Sequence, residues 1–183
     1  AYRLAALMLD DPEPDLAQVL ELLHAAAEGE HAEAQRLLEA AVKQQPWSPS
    51  LHQGLSDLKL KIGLRNGQER LIREAHEGYE RVLSLNPGAH EARLQRARSA
   101  IKLGDPQQAL SDLNALSKEP TFRDALDFEL GEAKMALKRD DEAQAHFKAV
   151  LARHPQHLEA HRAMGQLHAR AHRDAQAKDA FEQ

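Results

Sequence analysis

The chain is expected to fold as an all-α solenoid of antiparallel helix pairs, and three observations carry that expectation. Ala, Leu, Gln, Glu and Arg dominate and β-branched residues are scarce, while aromatics are only 4 % of the 183 residues, a balance that favours helix over an aromatic-cored sheet fold. One phrase recurs: AEAQRLLEAAVKQQP ending at Pro46, REAHEGYERVLSLNP ending at Pro87 and EAQAHFKAVLARHP ending at Pro155. In each, an Ala stands twelve residues before the proline (Ala34, Ala75, Ala143) and a large apolar residue eight before it (Leu38, Tyr79, Phe147). Finally, an offset of 34 residues places Leu130-Gly131 on Met164-Gly165, Ala143 on Ala177 and Phe147 on Phe181. A fixed period of this length marks stacked supersecondary units.

The elements follow in order. Residues 1–14 read as the second helix of a half repeat, closing in ALMLDDP. Five repeats follow at 15–48, 49–89, 90–123, 124–157 and 158–183, forming a single domain over 1–183, because each pair buries its apolar face against its neighbours. Gly29, Gly63 and Gly104 are placed in the turns within pairs, where left-handed backbone is tolerated. Ser48-Pro49 and Asp105-Pro106 read as an N-cap followed by a first-turn proline. Ala109, Leu113, Leu116 and Pro120 repeat the phrase with one residue fewer. The second repeat has 41 residues, and its surplus fits LRNGQER, residues 64–70, as a longer turn with an extra helical turn. In the third repeat Arg93 and Arg96 stand where a packing aromatic and a leucine are expected, so its first helix has the weakest register. The last repeat is expected to stop at Phe181-Glu182-Gln183, midway through a second helix and without a polar capping helix, as a module of a longer protein would.

These positions together resemble the tetratricopeptide repeat, a 34-residue helix–turn–helix with a W-x2-L-G-x2-Y…A-x3-F…P pattern, over essentially the whole chain. The resemblance implies a right-handed superhelical solenoid that binds peptides in a concave groove lined by the first helix of each repeat. Carried onto this chain, the family's groove positions give an apolar strip of Leu60, Leu94, Ile101, Phe128 and Met135. Arg98, Lys102 and Arg162 lie beside it, with Glu132 and Gln166 completing the lining. A protein or peptide partner with large apolar anchors and a carboxylate suits such a surface. The Lys and Asn pair with which some relatives clamp chaperone tails does not occur at the fifth and ninth positions, which disfavours that ligand.

Other classes of function find little support. A net charge of −5 argues against nucleic acid as a partner, and no apolar run is long enough to insert in a membrane. With no cysteine, thiolate chemistry is excluded, and the compartment stays open between cytoplasm and periplasm. No nucleophile elbow, phosphate loop, dinucleotide fingerprint or HExxH motif occurs, so no catalytic residue, metal ligand or cofactor is assigned and the chain is not expected to be an enzyme. His157, His161, His168 and His172 share one helical stripe. But His161 and His168 would lie about 10 Å apart along the axis, too far for one ion. Both fall on the family's packing Trp and Tyr positions, so the imidazoles are expected to fill aromatic slots. Charging half-buried rings there would make acid destabilise the C-terminal repeats first.

The leading expectation is a non-catalytic protein-interaction scaffold, with a bacterial flavour in its Ala/Arg/Gln-rich composition. The alternatives are a substrate-recruiting arm of a larger enzyme, of glycosyltransferase, sulfotransferase or peptide-hydroxylase type, and a module for self-association whose uncapped ends stack head to tail.

Overall fold

A computed structural model of the chain describes residues 31–117 and 119–181. The half repeat, the first helix of repeat 15–48 and Gly29 lie outside them. All regular structure among the described residues is helical: α1 (His31–Gln44), α2 (Pro49–Asn66), α3 (Glu69–Leu85), α4 (His90–Lys102), α5 (Pro106–Leu116), a 3-10 turn (Pro120–Phe122), α6 (Arg123–Ala136), α7 (Asp140–Arg153) and α8 (Leu158–Phe181). The chain divides between Leu103 and Gly104 into two compact units, the first holding α1–α4 and the second α5–α8.

In the first unit each helix packs on the next, and α2 also touches α4. Ala34, Leu38 and Ala41 of α1 are buried with Leu51, Leu58 and Ile62 of α2. Leu60 of α2 is buried with Ile72, Ala75, Tyr79 and Val82 of α3 and Ala92 of α4. The expected cap forms: Ser48 Oγ accepts the Leu51 N–H at 3.4 Å, with Pro49 in the first turn.

The long second repeat corrects one expectation. Gly63 does not make its turn. It is buried inside α2, where an added Cβ would lie 2.8 Å from Ile72 Cγ1, so it lets the start of α3 come close. The turn falls at Gly67, whose φ of 64° is left-handed and whose N–H bonds the Gly63 carbonyl. The seven surplus residues lengthen both helices: α2 has 18 residues against 14 in α6, and α3 has 17 against 14 in α7.

The second unit has the same plan: α5 packs on α6, α6 on α7 and α7 on α8, with α6 touching α8. Asp105 caps α5 by accepting the Gln108 N–H at 3.0 Å, and Gly104 takes φ 82° in the turn before it. One repeat later Lys138 holds the same left-handed conformation, at φ 58°. Ala143, Phe147, Ala163 and Leu167 form the core, with Phe128, Met135 and Met164 packed on it. Gly131 of α6 makes the α6–α7 contact close, since a Cβ there would lie 2.5 Å from Phe147 Cε1.

The fifth repeat departs from expectation. α8 runs unbroken over 24 residues to Phe181 instead of turning into a second helix. The residue one period after Lys138 is His172, in a run of Ala, His, Arg, Asp and Gln that contains neither Gly nor Pro and whose local preference is to continue the helix. Consistently, an added Cβ on Gly165, one period after Gly131, would meet nothing within 4 Å.

Charge ties the first three helices together. Lys59 Nζ of α2 lies 3.6 Å from Glu39 Oε1 of α1 and 2.9 Å from Glu74 Oε2 of α3. The Lys59 hydrogen bond, then that of Arg70, holds the Glu74 carboxyl below its ordinary value of 4.5.

Two outcomes follow from these contacts. Gly131→Ala is expected to destabilise the fold by about 1–3 kcal/mol through the clash with Phe147, whereas Gly165→Ala, with open space, gains up to about 1 kcal/mol of helix propensity. Urea denaturation followed by circular dichroism separates them. Because the Glu74 value is depressed in the fold, its contribution is complete above 4.5 and is lost as pH falls through the lower folded value. Lys59→Met should therefore reduce the loss of stability measured in urea titrations below that pH.

Candidate functional site

The side of the first unit formed by α2 and α4 carries an open cleft of about 240 Å³, lined by Asp57, Leu60, Lys61 and Leu64 of α2, Tyr79 of α3 and Gln95 of α4. Tyr79 reaches it from beneath: the residue is fully buried, and its hydroxyl donates to Asp57 Oδ1 at 2.7 Å. Burial, and then the Asp57 charge, raise the Tyr79 hydroxyl well above the usual phenol range, so it remains a donor, with Arg98 acting in the opposite sense. Gln95 donates through Nε2 to Glu91 Oε1 at 2.7 Å and accepts from Arg98 Nη1 at 3.4 Å. Leu64 is 45 % exposed at the rim, and Lys61 is exposed and has no ion pair among the described residues.

Of the expected groove residues in this unit, Leu60 forms the floor of the cleft and is only 4 % exposed, while Leu94, at 2 %, lies in the core. Arg98 and Ile101 are half-buried on α4 and Lys102 is exposed. Sequence reasoning missed Leu64, Tyr79 and Gln95 as lining. The signal for Leu64 was its place in the surplus stretch. Gln95 sits in the helix of weakest register, where nothing marked it.

In the second unit, Phe128, Glu132 and Met135 follow one another along α6, all half-buried. Phe128 is largely committed to packing: its ring lies 5.8 Å from that of Phe147 at 53° and stacks on His157 at 5.0 Å and 30°. Met135 packs on the Phe147–Leu167 cluster, and its carbonyl accepts from Arg170, which also binds Asp140 at 2.7 Å. Arg162 and Gln166 are exposed on α8.

The four histidines of the stripe divide: His157 is half-buried against the Phe128 ring, whereas His161, His168 and His172 are exposed. His161 is exposed, and its Nε2 donates to the Pro155 carbonyl at 2.8 Å. The same link joins His52 to the Pro46 carbonyl at 2.9 Å and Arg93 to that of Pro87 at 2.8 Å. In these three repeats the slot read as aromatic thus carries a polar donor that ties the new helix to the proline turn before it. His157 Nδ1 accepts the Ala160 N–H at 3.2 Å and caps the start of α8. His168 and His172 are exposed, because the second helix that would cover them continues along the α8 axis. Of the four, only His157 keeps the half-buried ring on which the expected acid destabilisation depends. Among the described residues no three His, Asp or Glu side chains are grouped to hold a metal ion, and no helix is long and apolar enough to cross a membrane.

Two tetratricopeptide-repeat family profiles match the chain, over residues 60–121 and 124–157. The sequence matches no curated protein. Among solved structures it is similar to MamA from Desulfovibrio magneticus RS-1, at 17 % identity and TM-score 0.68 over 89 % of this chain and 91 % of that one. It is also similar to MamA of AMB-1, at 22 % identity and TM-score 0.63 over 88 % and 91 %. A third is YrrB, described as a tetratricopeptide protein with an unusual peptide-binding site, at 19 % identity and TM-score 0.65 over 85 % and 75 %. These likenesses show the fold.

Tyr79→Phe removes the donor to Asp57 while keeping the ring in place. It should cost about 1.5–3 kcal/mol in thermal or urea unfolding, the scale of a lost hydrogen bond to a charged group.

Proposed function

We propose that this chain, which belongs to the tetratricopeptide-repeat family, is a non-catalytic protein-interaction scaffold whose first helices present the partner-binding surface. The observation that carries this reading is the cleft beside α2 and α4, where an exposed leucine and a lysine with no ion pair among the described residues stand together over a buried, hydrogen-bonded floor. Folded proteins place apolar and cationic groups side by side in a recess where a partner supplies the complement. The partner is a protein or peptide segment with apolar anchors and a carboxylate. The likeness to YrrB, whose description includes a peptide-binding site, supports a peptide mode.

The remaining expected positions divide by exposure. Leu94 stabilises the array, whereas Lys102, Arg162 and Gln166 are exposed and able to meet a partner. Arg98, Ile101, Phe128, Glu132 and Met135 lie half-buried between these roles.

The test compares the native chain with a Lys102→Glu, Arg162→Glu, Gln166→Glu variant as baits in the source lysate, after circular dichroism shows equal helicity. Loss of a specific captured protein by the variant is expected. Equal capture by both baits would place the working surface elsewhere on the helices.

A further inference from the structure

The second repeat has one extra turn at the end of α2, and that turn supplies the outer wall of the cleft through Leu64. We infer that this cleft is an anchor pocket for one large apolar side chain of an extended partner segment bearing an acidic residue next to that anchor. Leu64 is its specificity-determining wall and Lys61 the counter-charge. The inference rests on the reading that the first helices form the partner surface.

Size sets the first limit. About 240 Å³ is below the roughly 300–1,000 Å³ of pockets that enclose drug-sized ligands, and fits a single side chain. The distribution of commitments sets the second. Asp57 already accepts the Tyr79 hydroxyl, and the Gln95 amide is engaged at both ends by Glu91 and Arg98. Other cations of α2 and α3 are spoken for: Lys59 by Glu39 and Glu74, Arg70 by Glu74, and Arg73 by Glu69. Lys61 differs from them in being exposed at the lip with no ion pair among the described residues, and Leu60 and Leu64 supply the apolar surface. An apolar anchor followed by a carboxylate complements both. The pocket belongs to the length of this particular repeat, since the 14-residue α6 lacks the added turn.

The probe is an array of acetylated, amidated nine-residue peptides with central Leu, Phe or Ser followed by two Glu, Gln or Lys, with Kd read by fluorescence anisotropy on the full chain. Peptides with Leu or Phe followed by Glu are expected to bind, and those centred on Ser are not. Lys61→Glu should weaken Glu-bearing peptides about fivefold and favour Lys-bearing ones, while Leu64→Ser should weaken all apolar-centred peptides about tenfold. Equal affinity for the native chain and both variants overturns the pocket and leaves the groove reading standing. No binding by any peptide, with the captured protein still lost by the groove variant above, also overturns the pocket alone. No binding together with equal capture by native and groove-variant baits overturns both readings.

Discussion

The pairs α2–α3 and α6–α7 each depend on the large side chain that the second helix sends toward the first, eight residues before the closing proline. Tyr79 and Phe147 are fully buried at that position, Leu38 is 3 % exposed, and Leu113 is fully buried at the corresponding place of the third repeat. The first helix answers differently each time. Gly131 leaves space for the Phe147 ring, whereas α2 meets Tyr79 with the Asp57 carboxylate. A buried hydroxyl needs a partner, and the partner it takes lies at the cleft. The contact that holds α2 to α3 therefore also fixes one wall of the candidate site.

A second device is polar and recurs in three repeats. The first helix places His52, Arg93 or His161 so that its side chain donates to the carbonyl of the proline six residues earlier. Proline ends the preceding helix, and its carbonyl has no helical donor to accept from. The side chain supplies one. In the fourth repeat the corresponding residue is Asp127, which cannot donate as a carboxylate and instead accepts from His146 at 3.1 Å and from Arg153.

The period and the pairing were legible because they rest on prolines, caps and recurring apolar residues, which act locally. Ser48 and Asp105 cap as their neighbouring prolines suggest. Gly63 was misplaced because a glycine can serve a turn or a close helix contact, and only the path of α3 tells which. The site was less legible for a related reason. Leu60, Leu94 and Ile101 are alike in the sequence, and whether such a residue meets the core or a partner depends on a neighbouring helix far along the chain. His161 looked like a packing residue because its slot is aromatic in the family pattern, whereas here His52, Arg93 and His161 alike use it to donate to the carbonyl of the preceding proline.

The surplus of the second repeat has a consequence for how such a chain can change length. At 3.6 residues per turn, adding four residues to one helix and three to its antiparallel partner rotates each by close to a full turn. The buried faces keep facing each other, and the hairpin simply grows taller at its tip. Insertion of two residues in one arm would instead swing half of that arm's apolar face into solvent. Growth of the array at its hairpin tips is thereby quantised in steps of about seven residues, each raising a new rim above an unchanged core.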